Sequence, residues 1–429
     1  MASTLTAFVL AALPLISAQQ IGSPQRRPHL DTWHCTSAHG CTKQNTTVVL
    51  DAAAHPIHQV GSTTSCTTPS GSLDPTLCPD KETCASNCVI DGISDYASYG
   101  VTTSGSKLTL TQYLKTPNGI LDAVSPRVYL VAENEDYNAL HLLNQEFTFE
   151  VDVSQLPCGM NGALYLSEMH ADGGRSALNP AGAAYGTGYC DAQCYVTPWI
   201  NGEGNINGHG SCCNEMDIWE ANSRATGLTP HACLYSEPGL HECVSDEECN
   251  GPTGENDSVC DKWGCSFNPY ALGKRDYYGL DLVVDTTKPF TVVTQFLTSD
   301  NTTTGALTEI RRLYIQHNRV IQNAVISLPD STQTANSLTD TLCDATTSWF
   351  GRFGGMEGMG KALGNGMVLA MSIWNDAGGY MQWLDGGDAG PCNATEGAPG
   401  VIEQTTPGTN VVFGGVRWGD IGSTFRVRN

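Results

Sequence analysis

Basic side chains are scarce in this sequence: 21 Lys plus Arg stand against 44 Asp plus Glu, a formal net charge of -23 at pH 7. A chain so acidic offers no basic patch, so neither nucleic acid nor an anionic membrane surface is expected as a partner. Long apolar runs are missing too. The one candidate, from about Leu5 to Ile16, is shorter than the roughly 20 residues a membrane span needs. It ends in Ser17-Ala18 before Gln19-Gln20, which outlines a secretory signal peptide over residues 1–18, although its start lacks Lys and Arg. Amphipathic helical periodicity is rare, with 341–349 and 359–363 as modest candidates, so helices are expected only as small decorations on loops. Paired C-x2-C units are absent, which argues against a Cys/His metal site; neither a metal nor a cofactor is expected. No linker composition interrupts residues 19–429, which are expected to form a single domain.

Cysteine, by contrast, is plentiful. All 18 follow the signal segment, a pattern that suits disulfides in an oxidising compartment and predicts a secreted, extracellular protein. Period-two apolar runs recur at Phe147, Phe149, Val151 and Val153, and again at Phe290, Val292, Thr294 and Phe296; the apolar stretch 367–374 adds another candidate strand. Separated by Gly, Pro, Asn and Ser clusters, they predict an all-β fold, with sandwich and barrel undecided on composition alone. Residues 233–270 form a Cys- and Gly-rich excursion without a strand pattern, expected to be a functional loop bordering a cleft. Sequons at Asn45, Asn256, Asn301 and Asn393 are candidate N-glycan sites on surface loops.

The run Glu215-Met216-Asp217-Ile218-Trp219-Glu220 sets three carboxylates within six strand-like residues. Such a set suits cleavage of a glycosidic bond, in which one carboxylate attacks the sugar while a second, kept protonated, hands a proton to the departing oxygen. Glu215 and Glu220 fit these roles, with Asp217 as a helper that holds the nucleophile or raises a neighbour's pKa. On a regular strand Glu215 and Asp217 share a face and Glu220 points away. A β-bulge between Asp217 and Glu220 is therefore predicted, since one extra residue re-aims the next side chain. The competing reading of the hexapeptide is a solvated acidic face or half of a cation site.

With the segments 101–105, 156–159, 188–194, 211–222, 268–270, 381–385 and 418–423, this run resembles glycoside hydrolase family 7, the fungal cellulases, over nearly the whole chain. The resemblance implies a β-jelly-roll sandwich of two curved antiparallel sheets with long disulfide-braced loops, the glycan lying across the concave face. It implies Glu215 as nucleophile, Glu220 as acid/base, Asp217 as helper and His231 beside the acid. It also implies nine bridges: 35–41, 66–88, 78–84, 158–392, 190–213, 194–212, 233–260, 243–249 and 265–343. Sugar contacts are expected from Tyr165, Asp191 and Gln193 at the cleaved sugar, and from Trp374 on the non-reducing side and Trp383 on the leaving side. Arg127 is a further candidate contact, its alternative role being a buried ion pair.

Family 7 holds both chain-end cellobiohydrolases, which roof the cleft with long loops, and endoglucanases, which lack them. Here 386–391 and 201–210 are short, Ala271 and Ala389 stand where product-side arginines are common, and 52–56 lacks stacking tryptophans. The expectation is a retaining endo-β-1,4-glucanase, monomeric, acting on β-1,4-glucan and carrying no cellulose-binding module. Retention requires carboxyl groups roughly 5 to 5.5 Å apart. A reducing-end cellobiohydrolase is the nearest alternative, and a non-catalytic lectin a more distant one, since fold alone does not fix function.

Overall fold

The computed structural model describes residues 20–235, 237–251, 258–329, 331–347 and 349–427. The expected signal peptide and the Asn256 sequon lie outside the described residues. Two large sheets dominate. A seven-stranded sheet runs in the order Thr226–His231, Glu215–Ala221, Met160–Ser167, Met367–Asn375, Arg127–Val131 and Thr47–Leu50, with Ala139–Leu140 added beside Met367–Asn375. All these pairings are antiparallel. The second, ten-stranded sheet is built around Gln145–Asp152, Phe290–Thr298, Leu307–Gln316 and Asn410–Asp420. It departs from antiparallel order where Thr32–Thr36 runs parallel to Asn410–Asp420.

Alternation along the strands explains the layering. In Met160–Ser167, Leu164 and Leu166 point into the main core, where they join Met216, Ile218, Leu369 and Met371 of their own sheet and Phe147, Phe149, Val292, Phe296 and Phe413 of the other. The residues that alternate with them, Ala163 and Tyr165, enter a separate cluster on the opposite face with Val49, Tyr129, Val368 and Ala370. One sheet thus separates a thick apolar core from a second face free to carry chemistry. The predicted strand patterns match elements at Gln145–Asp152, Phe290–Thr298 and Met367–Asn375.

Helices are short, as expected, but more numerous than periodicity indicates. The two candidates correspond to Asp340–Thr346 and Gly355–Asn365; Lys81–Asn87, Asp246–Asn250, Gln382–Asp385 and Pro399–Thr405 are additional. These four span two turns or fewer, too little for a 3.6-residue period to register, and two of them start on caps: the side chains of Asp80 and Ser245 accept from the backbone N–H of Thr83 and Glu248. The 233–270 excursion, read as strandless, contains His241–Cys243, which pairs with Gly210–Cys212. All nine disulfides implied by the family resemblance are formed. Among the described residues no helix is long and apolar enough to cross a membrane.

Candidate active site

The Glu215–Ala221 strand carries the bulge that its spacing demands. Against the neighbouring strand, Glu215 faces His231, Asp217 faces Thr229, and Glu220 faces Gly227, with the register shifting between Asp217 and Glu220. Ile218 and Trp219 together oppose Leu228, and both enter the core. After two consecutive inward residues, Glu220 returns to the face of Glu215 and Asp217. Trp219 anchors the irregularity: it is fully buried, with Phe149, Tyr278, Phe290 and Tyr314 edge-on around it at centroid distances of 5.8 to 6.4 Å. Emptying that site to Ala costs about 3 to 5 kcal/mol. The Ile218 carbonyl is capped by the guanidinium of Arg312, itself buried and donating from Nε to Thr294 at 3.3 Å.

Each carboxylate has a defined partner. Glu215 Oε2 accepts from the backbone N–H of Ala192 at 3.1 Å. That amide is held in place by the Cys190–Cys213 and Cys194–Cys212 bridges, which clamp residues 190–194 onto the chain just before Glu215. Glu220 Oε1 accepts from Asn161 Nδ2 at 2.8 Å. His231 Nε2 lies 3.0 Å from Asp217 Oδ2, while its Nδ1 lies 2.8 Å from the carbonyl oxygen of Asp261. A carbonyl can only accept, so Nδ1 carries a hydrogen, and the Nε2 contact with Asp217 shares a single proton.

Electrostatics follow from crowding. Burial, then the charges of Asp217 and Asp191, push Glu215 well above the ordinary carboxylate range. Burial, then Asp217, push Glu220 up to about 8. Asp217 is pushed up to about 8 by burial and then by Asp191. Asp191 is itself raised, by burial first. Closely set buried carboxyl groups cannot all ionise, so the cluster holds protons to higher pH than free carboxyls do; that supplies the protonated acid the reaction needs, while the nucleophile must be the member that ionises.

The structure gathers several of the other candidates on the same face. Tyr165 stands two positions beyond Ala163, which pairs with Glu220, and its hydroxyl meets that of Tyr189 at 3.0 Å. Asp191 accepts from the backbone N–H of Gln193 at 3.0 Å, and Gln193 Nε2 donates to the Lys262 carbonyl at 2.9 Å. Trp374 pairs with Asn161 across the sheet. Its ring stacks against Trp383 at 6.3 Å, giving one continuous aromatic surface where two separated platforms are expected. Arg127 makes the ion pair named as its alternative role: Nε and Nη2 donate to Asp51 at 3.1 and 2.8 Å, and its guanidinium lies 3.4 Å from the centre of the Tyr189 ring. About three-tenths of the Arg127 side chain stays exposed.

Sequence reasoning missed Asn161, Asp51, Asp261 and Arg312. For Asn161 a signal existed, since it shares strand parity with Ala163 and Tyr165 and so must face the carboxylates. The others come from distant segments and carry no local mark. Among the described residues, the groups of three metal-type side chains are Cys78, Cys84 and Cys88; Cys194, Cys212 and Cys260; and Cys158, Asp385 and Cys392. Every cysteine in them is disulfide-bonded.

The family model for "Glycosyl hydrolase family 7" matches residues 20–425. The chain is 70% identical over 424 residues to endo-beta-1,4-glucanase celB of Emericella nidulans, covering 96% of each sequence. It is 48% identical over 421 residues to endoglucanase EG-1 of Humicola insolens, covering 96% of this chain and 93% of that one. Among solved structures, native Humicola insolens endocellulase EGI superposes with a TM-score of 0.88 at 49% identity, over 95% of this chain and 100% of that one. A family 7 cellobiohydrolase from Daphnia pulex gives 0.85 at 36%, over 95% and 99%. A bulged strand carrying three carboxylates on a two-sheet scaffold, matched by this family over almost its full length, has one reading: the chain belongs to glycosyl hydrolase family 7.

Proposed function

We infer that the chain is a retaining endo-β-1,4-glucanase that cleaves internal bonds of cellulose and related β-glucans. The observation that carries this reading is the bulge, which turns Glu220 onto the face of Glu215 and Asp217 within one rigid strand. Glu215 attacks the anomeric carbon while Glu220 gives its proton to the departing glycosidic oxygen. A glycosyl ester on Glu215 results, and the leaving glucan departs. Glu220, now ionised, takes a proton from water, whose oxygen attacks the same carbon and releases Glu215. Asp217, sharing its proton with His231, holds the nucleophile's surroundings. Tyr165, Asp191 and Gln193 contact the cleaved sugar, and Trp374 and Trp383 supply the apolar surface on which sugar faces stack.

The endo mode is supported by the short 386–391 and 201–210 connections and by the relatives at 70% and 48% identity, an endo-beta-1,4-glucanase and an endoglucanase. The enzyme acts as a secreted monomer, because a long polymer needs an unobstructed face. Following carboxymethylcellulose viscosity together with new reducing ends tests this. Rapid viscosity loss with few new ends, abolished in Glu215→Gln, is expected. Slow loss with steady cellobiose release identifies a chain-end enzyme, and binding without hydrolysis identifies a lectin.

A further inference from the structure

Most exposed apolar side chains need no explanation. Trp263 differs because of its neighbours: its side chain is largely open, at 59% exposure, yet its backbone is fixed against the catalytic face. Asp261 N–H bonds the Ala232 carbonyl at 2.8 Å, Cys265 N–H that of Pro230 at 3.2 Å, and Phe267 N–H that of Leu228 at 2.9 Å. The segment therefore runs alongside the edge strand of the seven-stranded sheet, Thr226–His231, tied to it by backbone hydrogen bonds without forming a further strand. Bridges 233–260 and 265–343 begin and end it.

Within it, two consecutive carbonyls reach site residues, and Trp263 comes next in the chain. The Asp261 carbonyl holds His231 Nδ1, the Lys262 carbonyl takes Gln193 Nε2, and Trp263 follows, its N–H donating to Asp261 Oδ1 at 3.2 Å. Gly264 has φ +64°, and a Cβ there would lie 2.8 Å from His231 Nδ1, so the loop meets the histidine with no room to spare. An indole on such a mount loses little freedom on binding a sugar face.

Strand order gives the side of the cut. The catalytic strand lies next to the edge strand Thr226–His231, against which the helix Gln382–Asp385 packs, so that Trp383, the aromatic expected on the leaving side, lies at that end of the sheet, with Arg127–Val131 and Thr47–Leu50 at the other. Trp263 stands beyond the Thr226–His231 edge. We propose that Trp263 is a stacking platform for a sugar on the leaving-group side of the cut, and so a specificity-determining residue for glucan length. This rests on the retaining glucanase reading.

The test compares kcat/KM for cellopentaose, which fills the leaving side with sugars, with that for an aryl β-cellobioside, which places only the aryl group there. In Trp263→Ala the ratio of the two constants falls about three- to tenfold, the range expected for one aromatic contact. Trp263→Tyr restores most of it. A ratio unchanged in Trp263→Ala overturns the proposal while wild-type turnover of both substrates leaves the glucanase reading intact. Wild-type protein that cleaves neither substrate overturns both.

Discussion

Asn161 donates from Nδ2 to the Glu220 carboxylate at 2.8 Å while its Oδ1 accepts from the backbone N–H of Ala221 at 3.1 Å. One amide thus fixes both the acid and the strand that carries it. Because the donor stabilises the ionised acid, removing it in Asn161→Ala raises the Glu220 pKa further. The expected outcome is an alkaline limb of the kcat/KM profile displaced to higher pH, with lower activity throughout. A limb that stays or moves down contradicts this role.

Glu220 also links stability to pH. Its folded pKa, pushed up to about 8 by burial and then by Asp217, lies above the unfolded value. Between the two values the folded state binds more protons, so stability is fully present below the unfolded pKa and falls as pH rises towards 8. The slope is at most about 1.4 kcal/mol per pH unit for each such group. Thermal melting from pH 5 to 8 checks this: Glu220→Gln should melt higher at pH 8 than wild type and show a shallower decline.

Arg312 is buried without a carboxylate partner among its described contacts, and its bond to the Ile218 carbonyl sits at the centre of the bulge. Arg312→Met leaves that carbonyl unpaired, a cost of about 1 to 3 kcal/mol. Turnover should fall more than stability explains, because Glu220 loses its aim. Denaturant unfolding and kcat, measured on the same preparation, separate the two effects.

What the sequence discloses is local. The bulge is legible because residues 215, 217 and 220 cannot share one face of a regular strand, and the paired faces are legible from alternation in Gln145–Asp152. The disulfides are a different matter: 18 cysteines allow very many pairings, and family resemblance selects among them. Partners such as Asn161 and Arg312 stay hidden because they lie 59 and 94 residues from the atoms they bond. The pairing of Arg127 with Asp51 is likewise a product of strand order, which no local pattern encodes.

The Cys190–Cys213 bridge closes a 23-residue separation and positions Ala192 against Glu215. Replacing both cysteines by Ser should cost about 2 to 4 kcal/mol of stability. It should also lower kcat for an aryl cellobioside, measured well below the reduced melting temperature, since the amide facing the nucleophile is released.

The central claim is that Glu215 forms the covalent bond. Incubation with an activated 2-deoxy-2-fluoro-cellobioside, followed by peptide mass mapping, tests it most directly. A single fluoro-cellobiosyl adduct on the peptide containing Glu215, absent in Glu215→Gln, is the expected result. An adduct on another carboxylate, or inactivation with no adduct at all, contradicts the account.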